Sequence, residues 1–331
     1  MSMYRAVTVR LDSSKKLICE QVMLNKDNLP SGDLLIKVSY TSLNYNDTLL
    51  LSQPNSNMTY PLVPGTDASG VVVRSSVPDF KEGDEVLVTG CGLGTAINGG
   101  FGGFISVPAD WAMPMPVGLT LKSSMILGSA GLAAGIGAMD FINSGITPDK
   151  NEVAITGASW DVGAVATALM STLGYNVTAY ISGGSDVKDY VTHLGATTVK
   201  SLASIASDSG NAMDTPIYDG VFDVMGGGVL SSLIKVMKPN GCVLVAGGAE
   251  SMQLNTSLHP FIYRSINILG VDALQCSPKL KTTVWQMLSG EWKIRQLDWL
   301  CTEISLNELN DYIPLMLDKQ IKGRVLVNHS L

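Results

Sequence analysis

The stretch from 151 to 163, Asn-Glu-Val-Ala-Ile-Thr-Gly-Ala-Ser-Trp-Asp-Val-Gly, constrains the fold more than any other part of the chain. An apolar run at 153–155 meets a glycine, Gly157. Gly163 then opens a run of small and apolar residues, 164–173, of helical length. Strand, tight turn and helix in that order open a dinucleotide-binding βαβ unit, in which the helix N-terminus faces a pyrophosphate. The turn departs from that pattern at its centre. Where a glycine would let the backbone approach the phosphates, the chain carries Trp160 and then Asp161. A left-handed backbone at Trp160 would cost ~1–2 kcal/mol. A carboxylate ~5 Å from a phosphate charge, at an effective dielectric of ~20, costs roughly 3 kcal/mol per charge pair. That is on the order of a hundredfold in affinity. The same carboxylate can instead serve as an internal anion that caps the helix.

The remaining residues place this unit in a larger plan. A chain of 331 residues, 46% hydrophobic and 15% charged, is long enough for two domains with separate cores. The first ~120 residues read as short strands with turn signals between them. The strands are expected at 4–11, 33–42, 68–74 and 84–89. Turn clusters such as Pro30-Ser31-Gly32 and Glu82-Gly83-Asp84 separate them. From residue 121 the texture changes. Parallel strands are expected at 153–156, 176–181, 197–200, 220–224 and 242–246, with a sixth at 266–272. Segments of helical length, such as 162–173 and 186–194, alternate with them. That alternation predicts an α/β fold with a doubly wound parallel sheet. Helices follow at 278–288 and 306–318, and a strand at 323–327 rejoins the β-rich part. The expected domains are therefore 1–120, completed by 295–331, and 121–294.

A net charge of −7 with no block of five like charges argues against nucleic acid as a partner. The five cysteines are scattered and odd in number, and the three histidines share no ligand spacing. Both facts argue against a disulfide framework and against a metal, zinc included. The start, Met1-Ser2-Met3-Tyr4-Arg5, shows no signal-peptide pattern. The apolar run 125–138 is too short to span a bilayer and reads as a buried helix. The expectation is a cytoplasmic protein with no membrane partner.

Several motifs, in order along the chain, carry a family resemblance. They are Ser42-Leu43-Asn44-Tyr45-Asn46-Asp47, Val63-Pro64-Gly65-Thr66-Asp67-Ala68-Ser69-Gly70, Phe80-Lys81-Glu82-Gly83-Asp84-Glu85-Val86, Gly128-Ser129-Ala130-Gly131, Val271-Asp272 and Gln320-Ile321-Lys322-Gly323-Arg324. With them the chain resembles the zinc-free medium-chain dehydrogenase/reductases, the quinone-oxidoreductase branch, and most of all the acrylyl-CoA reductase group. The resemblance implies a GroES-like domain joined to a Rossmann domain and a homodimer formed near the last Rossmann strands. It also implies NADPH-dependent reduction of an activated double bond. Zinc-dependent relatives carry His-Glu where this chain has Thr66-Asp67.

Against the family pattern Gly-Ala-Ser-Gly-Gly-Val-Gly, residues Gly157, Ala158, Ser159, Val162 and Gly163 match, and Trp160 and Asp161 do not. At the end of the second Rossmann strand the pattern Ser-Gly-Arg is Ser182-Gly183-Gly184 here. Ser182, Lys188 and Tyr190 are left as NADPH contacts, or as an ordinary loop and helix turn. Asp223 stands in the segment that faces the nicotinamide. In Tyr45-Asn46-Asp47 the family lysine is replaced by Asn46. Tyr45 is a candidate hydrogen-bond donor or acid to the substrate, and Asp47 either lines the cleft or caps a helix. Ile97 and Asn98 replace the aromatic and imidazole groups of the family loop. Arg264 is a candidate for a carboxylate or CoA phosphate, or for an ordinary salt bridge.

Three functions follow. The first is an enzyme acting on an unsaturated small molecule or a CoA- or carrier-linked acyl thioester, its NADPH binding weakened or lost, so that the reaction is redox-neutral: an isomerase, lyase or cyclase. The alternative is a working NADPH-dependent enoyl-CoA or quinone reductase. The third is a non-catalytic binding protein.

Overall fold

The computed structural model describes residues 3–56, 58–148, 151–205 and 210–331. The chain opens with β1 (Met3–Leu11), β2 (Leu17–Asn25), β3 (Leu34–Leu43), α1 (Tyr45–Ser52), β4 (Asp67–Ser75), β5 (Glu85–Thr89), β6 (Phe104–Val107) and β7 (Ala112–Pro114). The middle consists of α2 (Leu121–Asn143), β8 (Glu152–Thr156), α3 (Asp161–Leu173), β9 (Asn176–Ile181), α4 (Ser185–His193), β10 (Thr198–Ser201), β11 (Tyr218–Asp223), α5 (Gly227–Lys235), β12 (Met237–Val245), α6 (His259–Arg264) and β13 (Asn267–Gly270). The end carries α7 (Pro278–Ser289), β14 (Cys301–Ser305), α8 (Leu309–Leu317) and β15 (Arg324–Asn328). Two compact units result. One holds 1–129, 274–282 and 296–331, and the other 130–273 and 283–295.

The first unit contains a seven-stranded sheet in the order β14-β15-β3-β4-β5-β7, with β6 also paired to β3. Strand β15 runs antiparallel to β3, so the last residues close a sheet begun near residue 34. Leu34, Ile36, Val38, Val72, Val86, Val88, Ile105 and Val107 form its core, each contributed by a strand that alternates inward and outward. Strand β2 pairs with β1 along its whole length. Its residues are mostly half-buried, so no clean period of two marks it in the sequence.

The second unit is a six-stranded parallel sheet in the order β10-β9-β8-β11-β12-β13. Chain direction reverses across the sheet between β8 and β11, the point at which such sheets open a crevice at their carboxyl ends. Val153, Ala154 and Ile155 are fully buried, as expected for a strand covered on both faces. Helix α3 buries every residue from Gly163 to Met170 and stops at Gly174, which adopts φ 95° and donates to Met170 O and Ser171 O.

Helix α2 is longer than the apolar run suggested. At 23 residues it is long and apolar enough to cross a membrane, which corrects the expectation that it is too short. Most of that stretch, 78%, is buried within the protein, as in a core helix. It is broken at Gly128, which adopts φ 51° and ψ −151°.

Gly163 sets how closely α3 approaches β8. A Cβ there would lie 2.2 Å from the carbonyl oxygen of Gly157, a backbone atom that cannot step aside. Gly163→Ala is expected to cost about 3 kcal/mol, the upper range for overpacking. Urea unfolding of the purified variant checks this, and an unchanged midpoint contradicts it.

Candidate functional site

Two clusters of polar and special residues lie in the molecule, one in each unit. In the second unit the carboxyl ends of β8 and β11 are tied by one side-chain pair. Thr156 Oγ1 donates to Asp223 Oδ1 at 2.7 Å and accepts from Val224 N at 3.0 Å. Asp223 Oδ2 accepts from Gly226 N at 2.7 Å. Asp223 is wholly buried, and burial pushes its carboxyl above the ordinary range against the pull of these hydrogen bonds. These bonds shape the two turns that border the crevice.

The turn after β8 begins at Gly157 with φ 58°, a conformation glycine adopts without penalty. Trp160 is extended, at φ −140° and ψ 152°, so the left-handed strain considered for it is absent. The strain falls one residue later, on Asp161, which adopts φ 43° as the first residue of α3. Asp is among the few side chains that tolerate this region. Both residues are buried, Trp160 at 6% exposure and Asp161 at 4%. The indole folds back onto the glycine. A Cβ on Gly157 would lie 3.0 Å from Trp160 Nε1, 2.7 Å from Val224 Cγ2 and 3.4 Å from Met225 Sδ. Trp160, Val224 and Met225 therefore close over the point where β8 and β11 end.

For a dinucleotide this turn fits in two places and fails in one. Gly157 and Gly163 supply the tight turn and the close helix packing that a pyrophosphate-binding loop needs. Ser159 is buried in the turn, and Val162 is half-buried behind it. The indole of Trp160 lies where the backbone would have to be bare. At the end of β9, Ser182, Gly184 and Lys188 are all exposed, with Gly184 as the N-cap of α4.

Arg264 is held by backbone carbonyls. Its Nη1 donates to Lys235 O and Met237 O, both at 2.8 Å, and its Nη2 donates to Asp214 O at 2.5 Å. Met237 is the first residue of β12, so the guanidinium staples the edge where strands start. The crevice lies at the edge where they end. These three bonds give Arg264 a structural part at that edge.

In the first unit, Asn44 caps α1 and Asp47 completes a capping box. Asp47 Oδ2 accepts from Asn44 N at 2.9 Å and Nδ2 at 3.1 Å, and Oδ1 accepts from Thr66 N at 3.1 Å. The carboxyl is wholly buried, which favours the capping reading over a cleft-lining one. Tyr45 opens the same helix half-buried, and Asn46 is exposed. Beside them Asp67 accepts from Ser42 Oγ, Asn44 Nδ2 and Ser129 N at 2.8, 3.0 and 2.8 Å, and also from Ser129 Oγ. The fully buried Arg324 donates to Asn44 Oδ1 at 2.8 Å and Ile126 O at 3.2 Å. Asn98 Oδ1 accepts from Val63 N at 3.0 Å, so it braces its own loop.

Sequence reasoning passed over Thr156, Val224 and Met225. Thr156 carried a usable signal: a lone hydroxyl ending an apolar strand at a glycine turn.

Burial raises the Asp47 carboxyl to about 7, above its ordinary 3.8, against three hydrogen bonds that lower it. The folded protein thus holds a proton there that the unfolded chain has lost. Stability from this group is greatest below pH ~4 and is lost as pH rises toward 7. The stability difference between wild type and Asp47→Asn is expected to shrink across that window in urea titrations at pH 4.5, 6 and 7.5. A difference that grows with pH contradicts the assignment.

Residues 30–117 match the alcohol dehydrogenase GroES-like domain. The candidate quinone oxidoreductase YhfP of Bacillus subtilis is 35% identical over 92% of either chain. Acrylyl-CoA reductase AcuI of Ruegeria pomeroyi is 32% identical over 98% of this chain and 99% of its own. The YhdH oxidoreductase of Salmonella enterica, solved in complex with NADP, superposes with a TM-score of 0.93 at 32% identity, covering 98% of this chain and 99% of that one.

Proposed function

Because the chain belongs to the medium-chain dehydrogenase/reductase family, we propose that it is a nicotinamide-dependent reductase of an activated carbon–carbon double bond. The substrate is a small enone, a quinone or an enoyl thioester. The observation that carries this reading is the end-to-end similarity to acrylyl-CoA reductase together with the parallel sheet whose switch point opens at Gly157. The relatives support reduction over the redox-neutral reaction that the altered turn suggested. NADPH is the cofactor the Salmonella structure favours.

When bound, the cofactor supplies a hydride. The chain's residues supply its seat. Gly157 and Gly163 admit the pyrophosphate to the N-terminus of α3, where free N–H groups face an anion. Ser182 and Lys188 are the groups offered to the ribose phosphate end. Tyr45 is the proton donor that completes reduction at the carbon beside the carbonyl. Trp160 must leave Gly157 for the pyrophosphate to settle, so the cofactor binds more weakly than the fold alone would give.

Titration with NADPH while tryptophan emission is followed tests this reading. Wild type is expected to bind, and Trp160→Gly/Asp161→Gly to bind on the order of a hundredfold more tightly. Oxidation of NADPH is expected with an enoyl thioester. Absence of binding by both proteins, or consumption of the enoyl compound without NADPH, overturns the proposal.

A homodimer belongs to the same reading. Strand β13 is one of the two edges of the parallel sheet; Ile268 on it, and Leu258, Ile262 and Tyr263 shortly before it in sequence, are exposed. Sedimentation equilibrium is expected to give twice the chain mass, and Ile268→Glu to shift it toward one chain. A wild-type mass of one chain contradicts the dimer.

A further inference from the structure

In the first unit, away from the clusters described above, a thiol meets a buried ammonium. Strand β5 ends at Thr89, and the chain turns through Gly90 at φ 65° and Cys91 at φ 58°. Cys91 N donates to Leu274 O at 3.1 Å, which anchors the turn beside the start of α7. Lys281 of that helix is only 7% exposed. Its Nζ donates to Thr89 O at 2.6 Å and to Cys91 Sγ at 3.1 Å. Among the described residues no carboxylate lies within ion-pair distance of this ammonium. A buried cation is costly without an anion beside it, and here the one neighbouring group able to become an anion is sulfur. Cys91 itself is only half-buried, so a small molecule can reach it.

We propose that Cys91 is a covalent capture site for small α,β-unsaturated carbonyl compounds, with Lys281 as its charge partner. The thiolate is the nucleophile in such chemistry, and Lys281 Nζ, 3.1 Å from the sulfur, is placed as its counterion. Sulfur attacks the β-carbon and the new S–C bond forms. The electron pair of the double bond moves onto the α-carbon and carbonyl oxygen as an enolate. The proton of the thiol passes to solvent when the nucleophile forms; Lys281 gives its proton to the α-carbon and takes one back from solvent in its place. The net change is addition of S–H across the double bond. It has no leaving group and requires no oxidant or reductant. The electrophile is of the class the proposed reductase would take, but the capture step needs neither the cofactor nor turnover.

The test uses acrylamide as probe on the full chain without NADPH, with peptide mass spectrometry following all five cysteines. Rates are measured in the native protein and again in urea. Burial alone slows a cysteine in the native state. Cys19, Cys276 and Cys301, half-buried as Cys91 is, are therefore expected to react more slowly native than unfolded. Cys91 is expected to do the opposite, with a native rate at least ~5-fold above its own unfolded rate. Lys281→Met is expected to remove most of that advantage, and Lys281→Arg to keep part of it. A native rate at Cys91 below its unfolded rate overturns the proposal, whether or not the Lys281 variants fold. So does an unchanged rate in a folded Lys281→Met protein. Failure of NADPH binding leaves these outcomes untouched, so the two readings fail separately.

Discussion

The first unit depends on one buried carboxylate. Asp67 opens β4 and accepts hydrogen bonds from side chains on β3 and at the cap of α1, and from both the backbone and hydroxyl of Ser129. A carboxyl this deep is tolerated because four hydrogen bonds reach it, three at Oδ2 and one at Oδ1. The donors come from segments far apart in sequence, so satisfying one carboxylate fixes several elements at once. The break in α2 follows from the same demand. A Cβ on Gly128 would lie 2.5 Å from both Asp67 Oδ2 and Ser42 Oγ, and the residue adopts φ 51°. Only glycine lets the chain pass there and present the Ser129 N–H to the carboxylate.

The parallel sheet solves a similar problem with fewer parts. Asp223 is also buried, and its partners are Thr156 and the backbone at Gly226. This pair locks the ends of β8 and β11 and so determines where the crevice opens. What enters the crevice is then decided by the turn. Its glycines are retained at the two positions where backbone must pass close to backbone. The bulky residues stand between them, at a position that only a ligand would require to be bare. Substitution there leaves the fold intact and changes the site alone.

Much of this architecture was legible in the sequence. Most strands of the parallel sheet declared themselves as short apolar runs alternating with helical segments, while their order in space did not. Strand β2 escaped because half-burial on both faces erases the alternation that marks a strand. Site residues were harder to read. Asp47 could be read as lining a cleft or capping α1 with Asn44, since the further donor that buries it, Thr66 N, lies nineteen positions on in sequence. Arg264 gave no hint of the three carbonyls it binds, because backbone acceptors leave no trace in side-chain identity. The conformation of Trp160 was equally hidden. Its neighbours Val224 and Met225 reach it across strand order, which pattern alone does not deliver. Cys91 and Lys281 are 190 positions apart and belong to no motif.

Strand β15, which carries Arg324 and completes the first sheet beside β3, has a consequence for the living chain. Synthesis is vectorial, and residues 324–328 are made after every other strand of the two sheets. The parallel sheet is encoded by one continuous stretch and can close while the ribosome is still translating. The β-rich sheet cannot. Until residues 324–328 emerge, residues 40–43 of β3 lack a partner on one side, while β6 already covers 34–37, and Asn44 lacks its arginine. The half of the protein that is written first is therefore finished last, an order that protease sensitivity of ribosome-stalled chains would reveal.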